Sequence, residues 1–412
     1  MQPLNSYHLL FAVCSAINLG LGSNPTSTMA SLKSVCFLFV VVVCSFAEIS
    51  EPFSPGYPPE PAISPVPRGI KAAYWPAFES FPASCIDTSF FTHIYYAFLL
   101  PEPHTFKLNI TSLDQKKLPE FMSALSAKYP PVSTVLSIGG GGNDPDVFAL
   151  MARTEATRGV FINSTIEVAR YYQFDGVDLD WEFPATGDDM ANLALLFKEW
   201  REALENEAET SGKPRLLLTS AVYYSPEFTN NGLPRSYPAH AMAEYLDWAS
   251  PMCFDYHGKW DNFTGIHSAL FDPNSSDSSS HGVGSWIRAG VPPGKLVMGL
   301  ASYGHTWKLK DPTVNGIGAP AMGVGPGDED GFYNYYAIVD FNKAKNATVK
   351  YDRTTVSYYS YAGEWWIGYD DVKSIKWKVW FARVKGLAGY FFWAVSYDKD
   401  WALSRQGDNY LL

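Results

Sequence analysis

Short runs of β-branched and other apolar residues recur along this chain, separated by segments in which apolar positions have helical spacing. Short apolar runs bounded by turn residues are typical of buried strands. The predicted strands cover residues 69–75, 93–98, 132–138, 174–181, 216–223, 248–254, 296–302 and 387–393. Helical spacing is clearest over residues 118–129, 147–171, 190–208 and 372–384. Eight strands that alternate with helices predict an α/β fold, the (β/α)8 or TIM barrel.

A long segment rich in Gly, Tyr and Trp separates the seventh predicted strand from the helix that begins at Val372. At about seventy residues it is too long for a loop without secondary structure of its own. We therefore expect a barrel domain made of residues 69–302 and 372–412, with an inserted unit over residues 303–371.

The N-terminal region has the build of a secretory signal. Lys33 precedes an apolar run from Val35 to Phe46 that ends near Ala47 and is short for a membrane span. Such a signal would start at Met29, so residues 1–28 are predicted to be a spurious extension and residues 29–47 the signal peptide. Residues 48–68 contain seven prolines and are predicted to be a disordered leader. We expect a secreted protein, extracellular or vacuolar, with no membrane association after cleavage.

Composition narrows the class of ligand. Hydrophobic residues make up 47% of the chain and charged residues only 18%, which favours one large globular domain over disorder. The formal net charge of −11 argues against nucleic acid as a partner and favours a neutral polymer. We expect a monomer.

Two cysteines, Cys85 and Cys253, remain after removal of the signal. We predict two free buried thiols rather than one bridge between them, and no disulfide framework. Secretion would also make N-linked glycans possible. The candidate sequons are at Asn109, Asn163, Asn262, Asn274 and Asn346.

The fourth predicted strand contains four carboxylates, at Asp175, Asp178, Asp180 and Glu182. Side chains alternate along a strand, so the last three share one face in steps of roughly 7 Å, whereas Asp175 is out of phase and is predicted to be structural. Buried carboxylates this close must share protons or partners. A solvated strand edge or a cation site are alternative explanations, and the apolar neighbours disfavour the edge. The pattern indicates a catalytic site.

The spacing Asp-x-x-Asp-x-Asp-x-Glu, followed by Phe183 and Pro184, resembles the signature of glycoside hydrolase family 18. The resemblance to plant class V chitinases extends from about Ile70 to about Gly407. The segments that carry it are Ala72–Pro76, Phe91–Ile94, Ser137–Gly141, Ala221–Ser225 and Trp366–Asp371. It implies that the inserted unit is a small α+β structure forming one wall of a cleft.

By this resemblance, Glu182 is the general acid and base in the cleavage of β-1,4-linked N-acetylglucosamine polymers, chitin or chito-oligosaccharides. Family 18 enzymes use the substrate's acetamido oxygen as the nucleophile, which retains the anomeric configuration. Asp180 would orient the acetamido group and stabilise the oxazolinium-like intermediate, and Asp178 would share a proton with Asp180. No metal or other cofactor is implied.

The resemblance also implies a set of substrate-binding residues. The hydroxyls of Tyr74 and Ser137 would donate hydrogen bonds to the row of carboxylates, and Trp393 would stack beneath the scissile sugar. Met252 and Asp255 match the first and last residues of the family's Met-x-Tyr-Asp segment, and Asp255 would contact the sugar. Gly139 and Gly140 are predicted to be structural, in a glycine-rich run that is not a phosphate loop. Further candidate sugar subsites are Trp75, Trp260, Trp307 and Trp366.

One departure from the family pattern matters most. Phe254 replaces the tyrosine whose hydroxyl normally holds the acetamido oxygen, and it is not evident that Tyr256 substitutes for it. Phe183 in place of the more usual tyrosine is a smaller departure. Two alternatives to a chitinase follow: a chitinase-like lectin or inhibitor with weak or no catalysis, and a hydrolase of lipo-chito-oligosaccharides.

Overall fold

The computed structural model describes residues 69–230 and 233–411. The predicted N-terminal extension, signal peptide and proline-rich leader all lie outside these residues. Among the helices that are described, none is both long and apolar enough to cross a membrane.

Eight parallel strands form the central sheet, at the positions predicted from the apolar runs. They are β1 (Ile70–Pro76), β2 (His93–Pro101), β4 (Ser133–Gly139), β5 (Gly176–Asp180), β6 (Leu217–Tyr223), β9 (Trp248–Met252), β10 (Val297–Ala301) and β16 (Gly389–Trp393). Their order in the sheet is β10-β16-β1-β2-β4-β5-β6-β9. A parallel bridge between Ala249 and Leu296 joins the two end strands, which gives the (β/α)8 barrel. The predicted fold class is confirmed.

Helices cover the outside of the barrel. In chain order they are α1 (Asp114–Ser126), α2 (Pro145–Ala152), α3 (Glu155–Tyr172), α4 (Gly187–Ser211), α5 (Ala239–Tyr245), α6 (Ser279–Arg288), α7 (Tyr335–Ala344), α8 (Val372–Val384) and α9 (Ala402–Leu411). The single helix predicted over residues 147–171 is wrong, because the segment holds two helices. Thr154 is extended and accepts a hydrogen bond from the Thr157 N–H, which makes it the N-cap of the second helix.

The segment between β10 and α8 contains an antiparallel five-stranded sheet and helix α7. Its strands are β11 (Tyr303–Lys308), β12 (Phe332–Asn334), β13 (Thr348–Asp352), β14 (Ser357–Ala362) and β15 (Trp365–Tyr369). Strand β11 follows β10 after one residue, so the insertion begins at the carboxyl end of the barrel, where the predicted site lies. The remaining strands are β3 (Leu108–Asn109), paired with β2, and the hairpin of β7 (Glu227–Asn230) and β8 (Leu233–Ser236).

Both remaining cysteines are free thiols, as predicted, but only Cys253 is buried. The prediction that Cys85 is buried is wrong, since it ends a short 3-10 turn at the surface. All five sequon asparagines are exposed, which leaves them accessible to modification.

Candidate active site

Asp178 lies in the barrel interior between hydroxyl groups from three other strands. The register of the parallel sheet aligns Ser137, Asp178 and Thr219 on neighbouring strands. Hydroxyls of Ser137, Tyr74 and Thr219 donate to its carboxylate at 2.7, 3.0 and 2.6 Å. Burial raises the pKa of Asp178, and the three hydroxyls oppose that rise. The donors make a carboxylate tolerable at a depth where it is fully buried.

Small residues flank Asp180, one level nearer the carboxyl end. The register pairs it with Gly139 on one side and Ala221 on the other. A Cβ atom on Gly139 would lie 2.0 Å from the Asp180 carbonyl oxygen, and one on Gly140 would lie 2.3 Å from the Phe98 ring. The Gly140 N–H donates to the Asp180 carbonyl at 2.8 Å. A side chain at Gly139 would displace the strand that carries the acid residues, and one at Gly140 would displace the Phe98 ring.

Glu182 follows the strand end, beside Asp180. Burial and, to a smaller extent, the negative charge of Asp255 raise the pKa of Glu182 to about 7, against the opposing effects of the Gly141 N–H and Asp180. Burial and the charges of Glu182 and Asp178 raise the pKa of Asp180 well above its usual range. Two adjacent carboxyl groups with raised pKa values share protons near neutral pH. Asp180 also keeps one buried oxygen, Oδ1, without a hydrogen-bond partner among the described residues.

Asp255 faces Glu182 from the turn after β9. Its Oδ1 accepts hydrogen bonds from the Tyr303 hydroxyl at 2.6 Å and from His305 Nε2 at 2.9 Å. Burial alone would raise the pKa of Asp255, but the nearby rings of His267 and His305 overcome this effect and hold it well below its usual range. The site therefore combines an acid that is protonated near neutral pH with a carboxylate that stays ionised.

A cleft of about 360 Å³ opens above Glu182. Its walls are mostly apolar, as expected where a sugar ring packs on aromatic side chains. The residues that line it are Tyr74, Phe78, Phe98, Leu100, Gly141, Asn143, Asp180, Glu182, Ala221, Met252, Phe254, Asp255, Tyr303, Phe332, Phe391 and Trp393. Half-buried Trp393 is stacked on Phe98 with ring centroids 5.5 Å apart.

The structure brings most of the residues predicted from sequence to this cleft. Ser137 and Asp178 lie below it, buried and bonded to each other, and do not line its walls. Asp175 lies at the start of the strand, where it accepts from the Thr134 N–H at 2.7 Å. Four residues that lie against the acids of the cleft were not predicted: Thr219, Tyr303, His267 and His305.

The four additional tryptophans divide into two groups. Trp75, Trp307 and Trp366 are fully buried, so the expectation that they form sugar subsites is wrong for these three. Trp75 packs against Phe121 between the barrel and helix α1, with ring centroids 5.3 Å apart. Trp260 is 60% exposed and lies beside Asp255 and His305 at the cleft.

Phe254 lines the cleft at the position where the family pattern has a tyrosine. The hydroxyl of Tyr256 lies 3.3 Å from that of Ser279 and is buried. The two phenols that line this cleft, Tyr74 and Tyr303, are bonded to Asp178 and Asp255. The hydroxyls of Tyr74, Tyr256 and Tyr303 therefore each have a hydrogen-bond partner already.

Comparison with known proteins agrees with this geometry. The profile of the glycosyl hydrolases family 18 matches residues 71–398. Class V chitinase CHIT5a from Medicago truncatula is 57% identical over 344 residues, which are 83% of this chain and 89% of the relative. Nod factor hydrolase protein 1 from the same species is 47% identical over 340 residues, 81% of this chain and 88% of the relative.

Solved structures give the same result. A class V chitinase from Nicotiana tobaccum in complex with NAG4 superimposes with a TM-score of 0.81 at 39% identity, covering 83% of this chain and 99% of the other. A chitinase-like agglutinin from Robinia pseudoacacia superimposes with a TM-score of 0.77, also at 39% identity, with the same coverage. The acid column, the barrel and these matches together show that the chain belongs to family 18 of the glycosyl hydrolases.

Proposed function

We propose that this protein hydrolyses β-1,4-linked N-acetylglucosamine polymers, chitin or chito-oligosaccharides, with retention of configuration. The observation that carries the proposal is a half-buried Glu182, with its pKa raised to about 7, above the column of Asp180 and Asp178. Relatives called class V chitinase and a neighbouring structure in complex with NAG4 support this substrate class.

In the proposed reaction, Glu182 donates its proton to the glycosidic oxygen as the bond breaks. The acetamido oxygen of the same sugar attacks the anomeric carbon from the opposite face, forming an oxazolinium ion and releasing the leaving alcohol. Glu182, now a carboxylate, takes a proton from a water molecule as the water oxygen bonds to the anomeric carbon. The bond from that carbon to the acetamido oxygen then breaks, which opens the oxazolinium ring. Only one protein acid is needed.

Asp180 would hold the acetamido group during this reaction. Its unpartnered Oδ1 is available to accept the acetamido N–H, and its ionised form, once the shared proton has passed to Asp178, would stabilise the cationic ring. Asp178 has its own oxygens engaged by three hydroxyls, so it acts on the sugar through Asp180. Trp393 supplies an apolar surface beneath the sugar at the cleft floor.

Chito-oligosaccharide cleavage followed by NMR tests the mechanism, because retention yields the β anomer first. Glu182→Gln is expected to abolish turnover, whereas Glu209→Gln, at an exposed position of helix α4, is expected to leave it unchanged. Normal turnover in Glu182→Gln, or an initial α anomer, would contradict the assignment.

A sugar-binding protein without catalysis is the second candidate, and Phe254 is the observation that favours it. The missing hydroxyl removes one hydrogen bond to the reacting group, a loss of about 1–3 kcal/mol or roughly ten- to a hundred-fold in rate. Phe254→Tyr is therefore expected to raise kcat, and Phe78→Tyr, at the exposed cleft mouth, is the matched control. Tight oligosaccharide binding without cleavage in the unaltered protein would favour the lectin.

A narrower substrate, a lipo-chito-oligosaccharide, is favoured by the exposed apolar residues Phe78 and Leu100 in the cleft wall. Burying an acyl chain against them would release apolar surface from water. The measurement is kcat/KM for an acylated oligosaccharide and for the same sugar without its acyl chain. A higher kcat/KM for the acylated form, with the difference lost in Phe78→Ser, would support this substrate. Equal values in the unaltered protein would exclude a role for the acyl chain.

We also propose that the protein is secreted and glycosylated. The exposure of Asn109, Asn163, Asn262, Asn274 and Asn346 is compatible with glycan attachment. Enzymatic removal of N-linked glycans from the plant-expressed protein should increase its mobility on a gel; an unchanged mobility would argue against glycosylation.

A further inference from the structure

Asp255, His267 and His305 bring three metal-ligating groups together beside the cleft. They come from the turn after β9, from the loop that follows, and from β11. The Asp255 Oδ1 atom lies 2.9 Å from His305 Nε2 and 3.6 Å from His267 Nδ1. One ligand atom from each of the three residues lies within 4.8 Å of the others.

His267 presents an unpartnered nitrogen to this cluster. The ring is fully buried, and its Nε2 lies 3.1 Å from the Tyr303 carbonyl oxygen, which can only accept a hydrogen bond. Nε2 therefore carries the hydrogen, and Nδ1 of the neutral ring is left with a lone pair. Nδ1 lies 3.6 Å from Asp255 Oδ1 and has no hydrogen-bond partner among the described residues, so a cation held between these two atoms would bind both.

His305 is also largely buried, at 6% exposure, and its ring packs against that of His267 with centroids 5.0 Å apart. The His305 Nε2 atom donates to the Asp255 carboxylate in one tautomer of the neutral ring, and in the other tautomer, with the hydrogen on Nδ1, it offers a lone pair to a metal. The Tyr303 hydroxyl donates to the same Asp255 oxygen at 2.6 Å. The Tyr303 backbone and side chain thus orient two of the three ligands, as residues outside the immediate ligand set do in metal sites.

We propose that Asp255, His267 and His305 bind one Zn²⁺ ion at the wall of the cleft. Two imidazole nitrogens and one carboxylate oxygen are a ligand set that zinc takes with a fourth position open to water. Zinc bonds of this kind separate neighbouring ligand atoms by roughly 3.3–3.6 Å. The distance from Asp255 to His267 is in this range, and the hydrogen-bonded His305 nitrogen would move away from Asp255 by a few tenths of an ångström. Mg²⁺ and Ca²⁺ require mostly oxygen ligands and do not match this set.

Binding through His305 Nε2 would require its hydrogen to move to Nδ1, which is free to carry it among the described residues, and involves no change of oxidation state. Access is open, because Asp255, Trp260, His305 and Trp393 border a solvent-facing recess. Asp255 also lines the cleft above Glu182, so bound zinc would occupy space beside the sugar and remove a free negative charge. Zinc is therefore an inhibitor of the reaction proposed above, while its binding does not depend on that reaction.

Isothermal titration of the untagged, EDTA-treated protein with Zn²⁺ tests the site. The expected result is one ion per chain with micromolar or tighter affinity, and no detectable binding of Mg²⁺. His267→Gln and His305→Gln should each weaken the affinity at least ten-fold, whereas His281→Gln, an exposed histidine of helix α6, should not change it. Circular dichroism establishes that each variant is folded.

A second measurement covers the case in which the His267 variant fails to fold. Co²⁺ in place of Zn²⁺ should give the visible absorption bands of a four-coordinate site in the unaltered protein, and Asp255→Asn and His305→Gln should remove them. Zinc affinity unchanged in His305→Gln, equal losses in His281→Gln, or no zinc binding at millimolar concentration would overturn the proposal.

Discussion

Replacing Glu182 by Gln should stabilise the fold at neutral and alkaline pH, because ionising Glu182 in its folded environment is unfavourable. Burial and the Asp255 charge raise its pKa from 4.5 to about 7. Below pH 4.5 Glu182 is protonated in both the folded and the unfolded chain, so its ionisation does not change the stability of the fold. Between the two values only the unfolded chain releases the proton, so the stability of the unaltered protein falls as pH rises. At ~1.36 kcal/mol per pH unit, the loss amounts to about 3 kcal/mol above pH 7.

A neutral amide at this position cannot ionise, so the stability of Glu182→Gln should lack this fall. The assay is urea unfolding at several pH values between about 4 and 9, with the difference in unfolding free energy between the variant and the unaltered protein as the readout. We expect that difference to increase by about 3 kcal/mol over the interval, then to level off. Glu209→Gln, at an exposed site, controls for the loss of a surface charge. A difference that does not change with pH would refute the reasoning.

Three further predictions concern the same cleft. First, kcat should fall as pH rises through about 7, because Glu182 loses its proton. In Asp255→Asn this fall should move to lower pH, because a charge that raises the pKa of Glu182 is gone. Second, Thr219→Val should lower the unfolding free energy by about 1–3 kcal/mol, since it removes a buried hydrogen bond to Asp178; thermal or urea unfolding measures this. Third, Trp260→Ala should weaken oligosaccharide binding in calorimetry with little loss of stability, whereas Trp307→Ala, at a fully buried site, should cost about 3–5 kcal/mol of stability.

Each of these has a result that would contradict it. A pH limb that stays in place in Asp255→Asn would mean that its charge does not act on Glu182. Thr210→Val, at an exposed position, controls for the change of side chain, and equal effects at both threonines would remove the special role of Thr219. Unchanged sugar affinity in Trp260→Ala would exclude this ring as a subsite.

Strand positions and the acid column were accessible from the sequence because both depend on local periodicity. A buried parallel strand is a short apolar run, and the two-residue repeat places Asp178, Asp180 and Glu182 on one face without knowledge of the neighbours. The break between helices α2 and α3 lies in a largely polar segment, residues 153–159, and the predicted helix was carried across it from the apolar residues on either side. The signal for that break was the capping residue Thr154.

Contacts across the barrel were less accessible. The role of Thr219 depends on which strand lies next to β5 and in what register, and the carboxylate contacts of Tyr303 and His305 depend on how the insertion returns to the barrel. None of these follows from spacing along the chain. The error at Trp75 was avoidable, because Tyr74 faces the cleft and adjacent residues of a strand point to opposite sides.

The pairing of the first barrel strand with the last has a consequence for biosynthesis. Tyr74 and Trp393 come from β1 and β16, which are hydrogen-bonded neighbours with Ala72 opposite Phe391. Between them lies nearly the whole described chain, so the floor of the cleft is incomplete until the final strand, which carries Trp393, leaves the ribosome. A nascent or truncated chain that ends before Gly389 should therefore be catalytically silent, however many of its earlier strands have already paired.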